Sequence, residues 1–245
     1  MKALSAKVYV WLWRGLVGLL LLGALSFSAA VLALRYWVLP DIAHYRDDIA
    51  AAISRASGQR VAIGTVGADW HGLRPHLRLG GVVVFDQKGQ PALSFDRVEA
   101  TLSWTTPLVG ELRLYSLEID RPKLVVRREP DGLIYVSDIA VNQPGAKSGF
   151  ADWLMRQYRI VVRHGELEWN DRLRQAPPLR LADVGFRLEN GFGDRHRFGL
   201  AATPPAALAS RIDIRGDLRG DSLQDLAGWR GTLFASLGYT DIAAW

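Results

Sequence analysis

The sequence predicts a mainly β protein carried on one N-terminal transmembrane helix, and three observations predict it. Leu16 to Leu34, LVGLLLLGALSFSAAVLAL, is an unbroken apolar run without a charge. From Gln59 onward the apolar residues recur with period 2, as strands require, where the preceding segment follows the helical 3.6. Turn signals then punctuate the chain at short and regular spacing, as in a meander.

The apolar run of about 19 residues is just long enough for a hydrocarbon core of roughly 30 Å. Arg14 and Arg35 bound it, with Lys2 and Lys7 further toward the amino end. Tyr9, Trp11 and Trp13 flank one side and Tyr36 and Trp37 the other, where amphipathic rings favour the headgroup layer. Basic residues on the amino side, against Asp41, Asp47 and Asp48 beyond, predict a cytoplasmic amino end and an exported remainder from about Pro40. The competing reading is a cleaved signal peptide, since Ser28-Ala29-Ala30 offers small residues for cleavage. The apolar run continues past that site and rings bracket both ends, so residues 1–38 read as a cytoplasmic tip and a single-pass anchor.

The 245 residues contain no cysteine, which excludes disulfides and thiol-based metal sites. The net charge of +5 is spread as single arginines among alternating apolar positions. Nucleic-acid binding calls for a clustered basic face, so these arginines read as the wet faces of strands and no nucleic-acid partner is expected. The surplus also favours proximity to anionic headgroups.

Beyond the anchor, Leu39-Pro40-Asp41 reads as a helix start with Asp41 as cap. Ile42, Tyr45, Ile49, Ile53 and Ala56 recur at steps of three and four, and Gly58 suits a left-handed C-cap, so residues 41–57 form an amphipathic helix. Val61, Ile63 and Thr65 open the strands. Leu77 and Leu79, then Val82 to Phe85, lead to a hairpin loop at Asp86 to Pro91. The return strand carries Leu93 and Phe95 on one phase, then Val98, Ala100 and Leu102 on the other, which predicts a bulge at Asp96-Arg97. Thr105 to Leu108 is a turn or one helical turn. Glu111–Asp120, Pro122–Glu129 and Leu133–Val136 complete a first segment, residues 39–141.

Residues 142–149, NQPGAKSG, form the clearest linker. Residues 150–245 hold a short helix at Phe150 to Tyr158 and a second strand segment: Ile160–Arg163, Glu166–Trp169, Leu179–Leu188, Arg197–Ala202, Ser210–Leu218 and Gly231–Leu237. Asn190-Gly191, Thr203-Pro204-Pro205, Gly216 and Gly220 mark its turns. Asp241 to Trp245 reads as the first turn of another element, so this segment is expected to be incomplete.

No constellation of reactive residues stands out, and neither an enzyme activity nor a cofactor is expected. His71 and His76 could share a metal with Asp69, but Gly72 and Pro75 intervene and zinc sites use tighter pairs. Glu166 and Glu168 share one strand face near Arg163 and Arg172, best read as a solvated strand edge. Gly64-Thr65-Val66-Gly67 lacks the third glycine and the Lys-Ser/Thr of a phosphate loop. What remains is apolar strand surface that must be buried. A second sheet or closed barrel would bury it, and so would lipid chains held in an open, curled sheet. Periodicity does not separate the two.

The order of several short motifs adds to this. Leu39-Pro40, Tyr45-Arg46, Gly58-Gln59-Arg60-Val61, Gly67-Ala68-Asp69-Trp70 and Pro75-His76-Leu77 resemble the start of AsmA-like proteins, most of all the YhdP branch. Gly110 to Pro122, GELRLYSLEIDRP, and Trp229-Arg230-Gly231-Thr232-Leu233 resemble recurring strand motifs of that branch. The resemblance implies one bacterial inner-membrane helix and a long antiparallel, curled open β-sheet in the periplasm, groove-like and apolar inside. It also implies phospholipid transport toward the outer membrane in support of the envelope permeability barrier, with this chain as the leading fragment. The alternative is a non-catalytic scaffold for outer-membrane assembly. The implied partners are the membrane, phospholipid acyl chains and other envelope proteins. The groove lining is then expected to be Leu77, Leu79, Val82, Val84, Leu93, Phe95, Leu102, Leu112, Leu114, Leu117, Ile119, Leu124 and Val126. Arg78, Arg113, Glu118 and Arg127 take the opposite phase.

Overall fold

The computed structural model describes residues 2–86, 88–140, 149–191, 193–220 and 228–240. They belong to two compact units, Met1–Ile42 and Ala43–Trp245. The first is built on α1, Lys2–Ala33, which runs into a π-helical turn at Leu34–Val38. Its apolar side chains are uncovered, with Trp11 79 % and Trp37 80 % exposed. Among the described residues this is the one helix long and apolar enough to cross a membrane.

A 3₁₀ turn at Leu39–Tyr45 follows, kinked at Asp41 (φ −110°, ψ 22°), and α2 occupies Arg46–Ser57. The α-helix therefore starts later than the expected residue 41, and Asp41 sits in the kink instead of capping. Pro40 has no amide to donate, and the tighter 3₁₀ winding shifts the residues before Arg46 off the stripe. Tyr45 is accordingly 42 % exposed, whereas Ile49 and Ile53 are half-buried. The helix ends as its sequence suggests: Gly58 is left-handed (φ 69°) and its amide donates to the Ser54 carbonyl at 3.0 Å.

The strands are β1 (Val61–His71), β2 (Arg74–Phe85), β3 (Pro91–Leu102), β4 (Leu114–Asp120), β5 (Lys123–Arg128), β6 (Ile134–Val136) and β7 (Ile139–Ala140). After them come β8 (Arg159–Asp171), β9 (Leu179–Asn190), β10 (Arg195–Thr203), β11 (Ile212–Arg219) and β12 (Arg230–Leu237). One helical turn, α3 (Thr106–Val109), joins β3 to β4, and α4 (Gly149–Met155) precedes β8. Together the strands form one twelve-stranded sheet in the order β1-β2-β3-β4-β8-β9-β10-β11-β12, with β5 continuing β4 along β8 and β6 and β7 beyond β5. Among the described residues neither β1 nor β12 has a second neighbour, so the sheet is open.

Neighbours are antiparallel except where β4 and β5 run parallel to β8. The sequence alone suggests an antiparallel sheet throughout. A parallel join needs a crossover, and α4 lies in it. Two further expectations change. The strands at Ile160–Arg163 and Glu166–Trp169 are one strand, β8, which passes through a left-handed His164 (φ 53°). Gly216 marks no turn. It lies inside β11 opposite Phe198, whose ring fills the space a side chain would take, 2.2 Å from a Cβ placed there. The linker expected at 142–149 lies outside the described residues except for Gly149, which begins α4, and the final turn expected at 241–245 lies outside them too.

The phase slip at Asp96-Arg97 is not a bulge. A bulge adds a residue to one strand of a pair, yet Leu79 pairs with Val98 and Val82 with Phe95, three residues on in each strand. Next door Val66 pairs with Leu79 and Ile63 with Val82. Gly64-Thr65, Gly80-Gly81 and Asp96-Arg97 thus slip together, and the crease crosses three strands. Gly81 supplies the left-handed backbone (φ 60°), and Gly80 leaves room for Thr65 Oγ1, 2.4 Å from where a Cβ would stand. The crease returns the apolar phase to the same face on both of its sides. A second line of left-handed residues, Arg121, His164 and Asp183, crosses β8 and its neighbours.

Candidate functional site: an apolar trough

That apolar face, together with α2 packed against β1 and α4 packed against α2, bounds a partly open cavity of about 740 Å³. Ile49, Ala52 and Ile53 of α2 and Phe150, Trp153, Leu154 and Met155 at α4 contribute to its lining. The strands contribute from Val61 in β1 to Leu218 in β11. Of the lining side chains only His196 and the indoles of Trp153 and Trp229 carry polar atoms, and both ring nitrogens of His196 are partnered. Nδ1 meets Asn190 Oδ1 at 2.6 Å, Nε2 meets the Gly220 carbonyl at 2.9 Å, and the ring stacks on Trp229 at 5.0 Å.

Leu77, Leu79, Val82, Val84, Leu93, Phe95, Leu102, Leu112, Leu114, Leu117, Ile119 and Leu124 all line this cavity. Val126 does not, although it shares a strand phase with Leu124 and its cross-strand partner Val136 does. Ile42, on the same predicted stripe as Ile49 and Ile53, is absent from the lining and falls in the first unit. The sequence reading passed over the lining from β8 to β11, which includes Val162, Phe186, Phe198 and Leu218. Period-2 alternation marks these positions too, with arginines such as Arg163, Arg187 and Arg197 on the opposite phase.

The lining is not uniformly accessible. On β2 and β3 it is packed by protein, with Leu79 3 %, Val84 4 % and Leu93 5 % exposed. Val162, Phe186, Phe198 and Leu218 are only half-buried. The trough is therefore most closely covered along β2 and β3 and more accessible at Val162, Phe186, Phe198 and Leu218 on its β8–β11 side, although Ile160 and Leu188 there are buried as well.

The roof is tied down by polar contacts that its burial makes expensive to break. Trp153 Nε1 donates to the Leu112 carbonyl at 3.3 Å. Gln157, just past α4, is fully buried; its Oε1 accepts the Leu114 amide at 2.7 Å and its Nε2 donates to the Trp153 carbonyl. Asn190 Nδ2 donates to the Gln157 carbonyl at 2.6 Å.

The other face of the sheet is a field of ion pairs. Glu118 meets Arg163 at 2.8 Å and Arg159 at 3.2 Å, and Arg195 Nε donates to Asp217 at 2.7 Å. Arg195 holds the Asp217 carboxyl below its ordinary range, Arg215 does the same for Asp213, and Arg187 for Glu189. Glu166 and Glu168 belong to this field and not to a strand edge, because β8 has β5 on one side and β9 on the other. Glu168 accepts from Asn170 and Arg180, and Glu166 lies 3.6 Å from Lys123. His71 and His76 meet edge to face at 5.7 Å, while Asp69 pairs with Arg78. Among the described residues no group of three or more His, Asp or Glu is placed to hold a metal ion.

A long apolar N-terminal helix able to cross a membrane, followed by an open sheet with one apolar, trough-forming face and one ion-paired face, defines a class of mainly β protein built around an apolar trough. Within that class the chain belongs to the YhdP family, whose model matches residues 1–245. No curated protein and no solved structure matches it.

Proposed function

We propose that this chain is the inner-membrane end of a lipid conduit: anchored by α1, with its bulk in the periplasm, it holds phospholipid acyl chains in the trough on their way toward the outer membrane. In this role it supports the envelope permeability barrier, and it is a carrier and not a catalyst. The observation that carries the reading is the lining, aliphatic and aromatic from α2 to β11 with one histidine whose two ring nitrogens are already partnered. Such a surface offers a phospholipid headgroup nothing and an acyl chain a great deal, about 0.8 kcal/mol for each methylene kept from water. Family membership supports the same reading. The accessible β8–β11 wall is where chains would lie.

The alternative, a non-catalytic scaffold for outer-membrane assembly, is favoured by the burial of Leu79 and Val84, which makes the β1–β4 side resemble an ordinary core. A photo-reactive residue in place of Phe198 separates the two. Crosslinks to acyl chains in the intact envelope are expected for a conduit. Crosslinks to protein alone, or none, would leave the scaffold.

A further inference from the structure

The turn between β1 and β2 and the segment between β3 and β4 meet at one end of the sheet, where Trp104 Nε1 donates to the Leu73 carbonyl at 3.1 Å. Leu73 is 78 %, Leu108 83 % and Val109 53 % exposed there. This apolar tip is held in shape. Thr106 Oγ1 donates to the Arg113 carbonyl at 2.9 Å and accepts the Arg113 amide at 3.1 Å, closing the loop on itself. Leu102 and Leu112, which bound the same segment, are both in the trough wall, so the tip stands at a mouth of the trough.

Its surroundings are basic. Arg113 and Arg156 share one carboxylate, Glu111, at 3.1 and 4.0 Å. Arg74 lies 4.0 Å over the Tyr115 ring and pairs with no acid among the described residues. The turns at the opposite end of β2 and β5 carry Asp86, Lys88, Gln90 and Asp131 instead, and of the exposed leucines and valines only Leu173, at 41 %, stands in a described turn at that end.

We propose that this mouth is a bilayer-docking edge: Leu73, Leu108 and Val109 settle at the boundary of headgroups and acyl chains, with Arg74, Arg113 and Arg156 against lipid phosphates. An exposed apolar tip flanked by an indole and three guanidinium groups that share a single carboxylate matches the chemistry of the interface, where apolar, amphipathic and cationic groups are each favoured. A protein partner would take up the apolar residues, but the cationic excess specifies an anionic surface. The inference rests on the acyl-carrier reading only for its purpose, since a mouth set in the interface lets chains pass from bilayer to trough without crossing water.

The absence of cysteine allows single labels. Leu73→Cys, Leu108→Cys and, as control, Lys88→Cys variants of the anchored chain are labelled with an environment-sensitive fluorophore. Each is reconstituted in bilayers of phosphatidylethanolamine and phosphatidylglycerol, with or without lipids bearing a shallow spin-label quencher. The 73 and 108 probes are expected to be blue-shifted and quenched at least twofold more than the 88 probe, and to lose part of this when phosphatidylglycerol is replaced by phosphatidylcholine. Equal, water-like emission at all three positions overturns the proposal. So does a shift that needs added envelope proteins, which would assign the tip to a protein partner. Neither result touches the crosslink from position 198, so the docking edge and the carrier reading fail separately.

Discussion

Leu114 and Gln157 are 43 residues apart in sequence, yet the Gln157 carboxamide accepts the Leu114 amide at 2.7 Å in the interior. The next residue, Tyr158, donates its own amide to the Leu114 carbonyl at 3.1 Å. Both backbone groups at the first residue of β4 are therefore satisfied by the chain that leaves α4. This is how a parallel join is made at a point where β4 has no antiparallel partner on that side: the crossover helix is fastened to the strand start before β8 sets off beside it.

Gln157→Leu is expected to destabilise the protein by about 1–3 kcal/mol, because a buried amide loses its acceptor while volume is nearly kept. Chemical denaturation measures it. A shift within experimental scatter would mean that the Leu114 amide finds another acceptor, and the fastening has been overvalued.

Gly216→Val should cost more than its strand position suggests. Valine favours strands, but its Cβ would meet the Phe198 ring at 2.2 Å. The ring has to leave its place in the trough wall, at about 1–3 kcal/mol by the cost of overpacking. A Phe198→Ala, Gly216→Val double variant tests the cause: it should recover part of the loss, whereas additive losses would place the strain elsewhere.

The ion-paired face sets the response to acid. Asp213, Asp217 and Glu189 are held below their ordinary values by Arg215, Arg195 and Arg187. A carboxyl depressed in the folded state stabilises fully above its unfolded value and loses that contribution as pH falls through the folded one. Stability should therefore be flat from neutral pH down to the unfolded values near 3.8 and 4.5, then decline below them. The decline should be shallow, since exposed pairs contribute little each. Denaturation midpoints against pH check the window, and Asp217→Asn should flatten the curve; a decline beginning above pH 6 would overturn the assignment to these carboxyls.

The sequence made some of this legible and not the rest, for physical reasons. Alternation placed Leu77 and Leu79, and then Val82 and Val84, on one face because period 2 is local. It read Asp96-Arg97 as a bulge because a single strand does not reveal that its neighbour slips at Gly80-Gly81. The parallel join escaped for a similar reason, since nothing within β4 or β8 states the direction of a partner. Roofing by α2 and α4 depends on contacts between distant segments, so the sequence could nominate Leu79 as apolar lining without saying how far it is buried. Gly216 reads as a turn until Phe198 is seen opposite it.

Burial also decides where the conduit can be tested by charge. Leu79 is 3 % exposed under the roof, whereas Phe198 is half-buried on the accessible wall. Leu79→Asp places a carboxylate where it has neither water nor a partner, at a penalty of several kcal/mol that rivals the stability of a typical domain. Loss of the protein is the expected outcome, and it would say nothing about lipid. Phe198→Asp differs, because the carboxylate can reach solvent whenever the trough is empty. The protein should accumulate normally and keep its fold, while an acyl chain meets a charge on its track. With a photo-reactive residue at Phe186, which pairs with Leu200 two residues from the altered site, lipid crosslinking should fall several-fold in Phe198→Asp and persist in Phe198→Leu. If crosslinking survives the aspartate at unchanged abundance, acyl chains do not run along β10 and the trough is not their path.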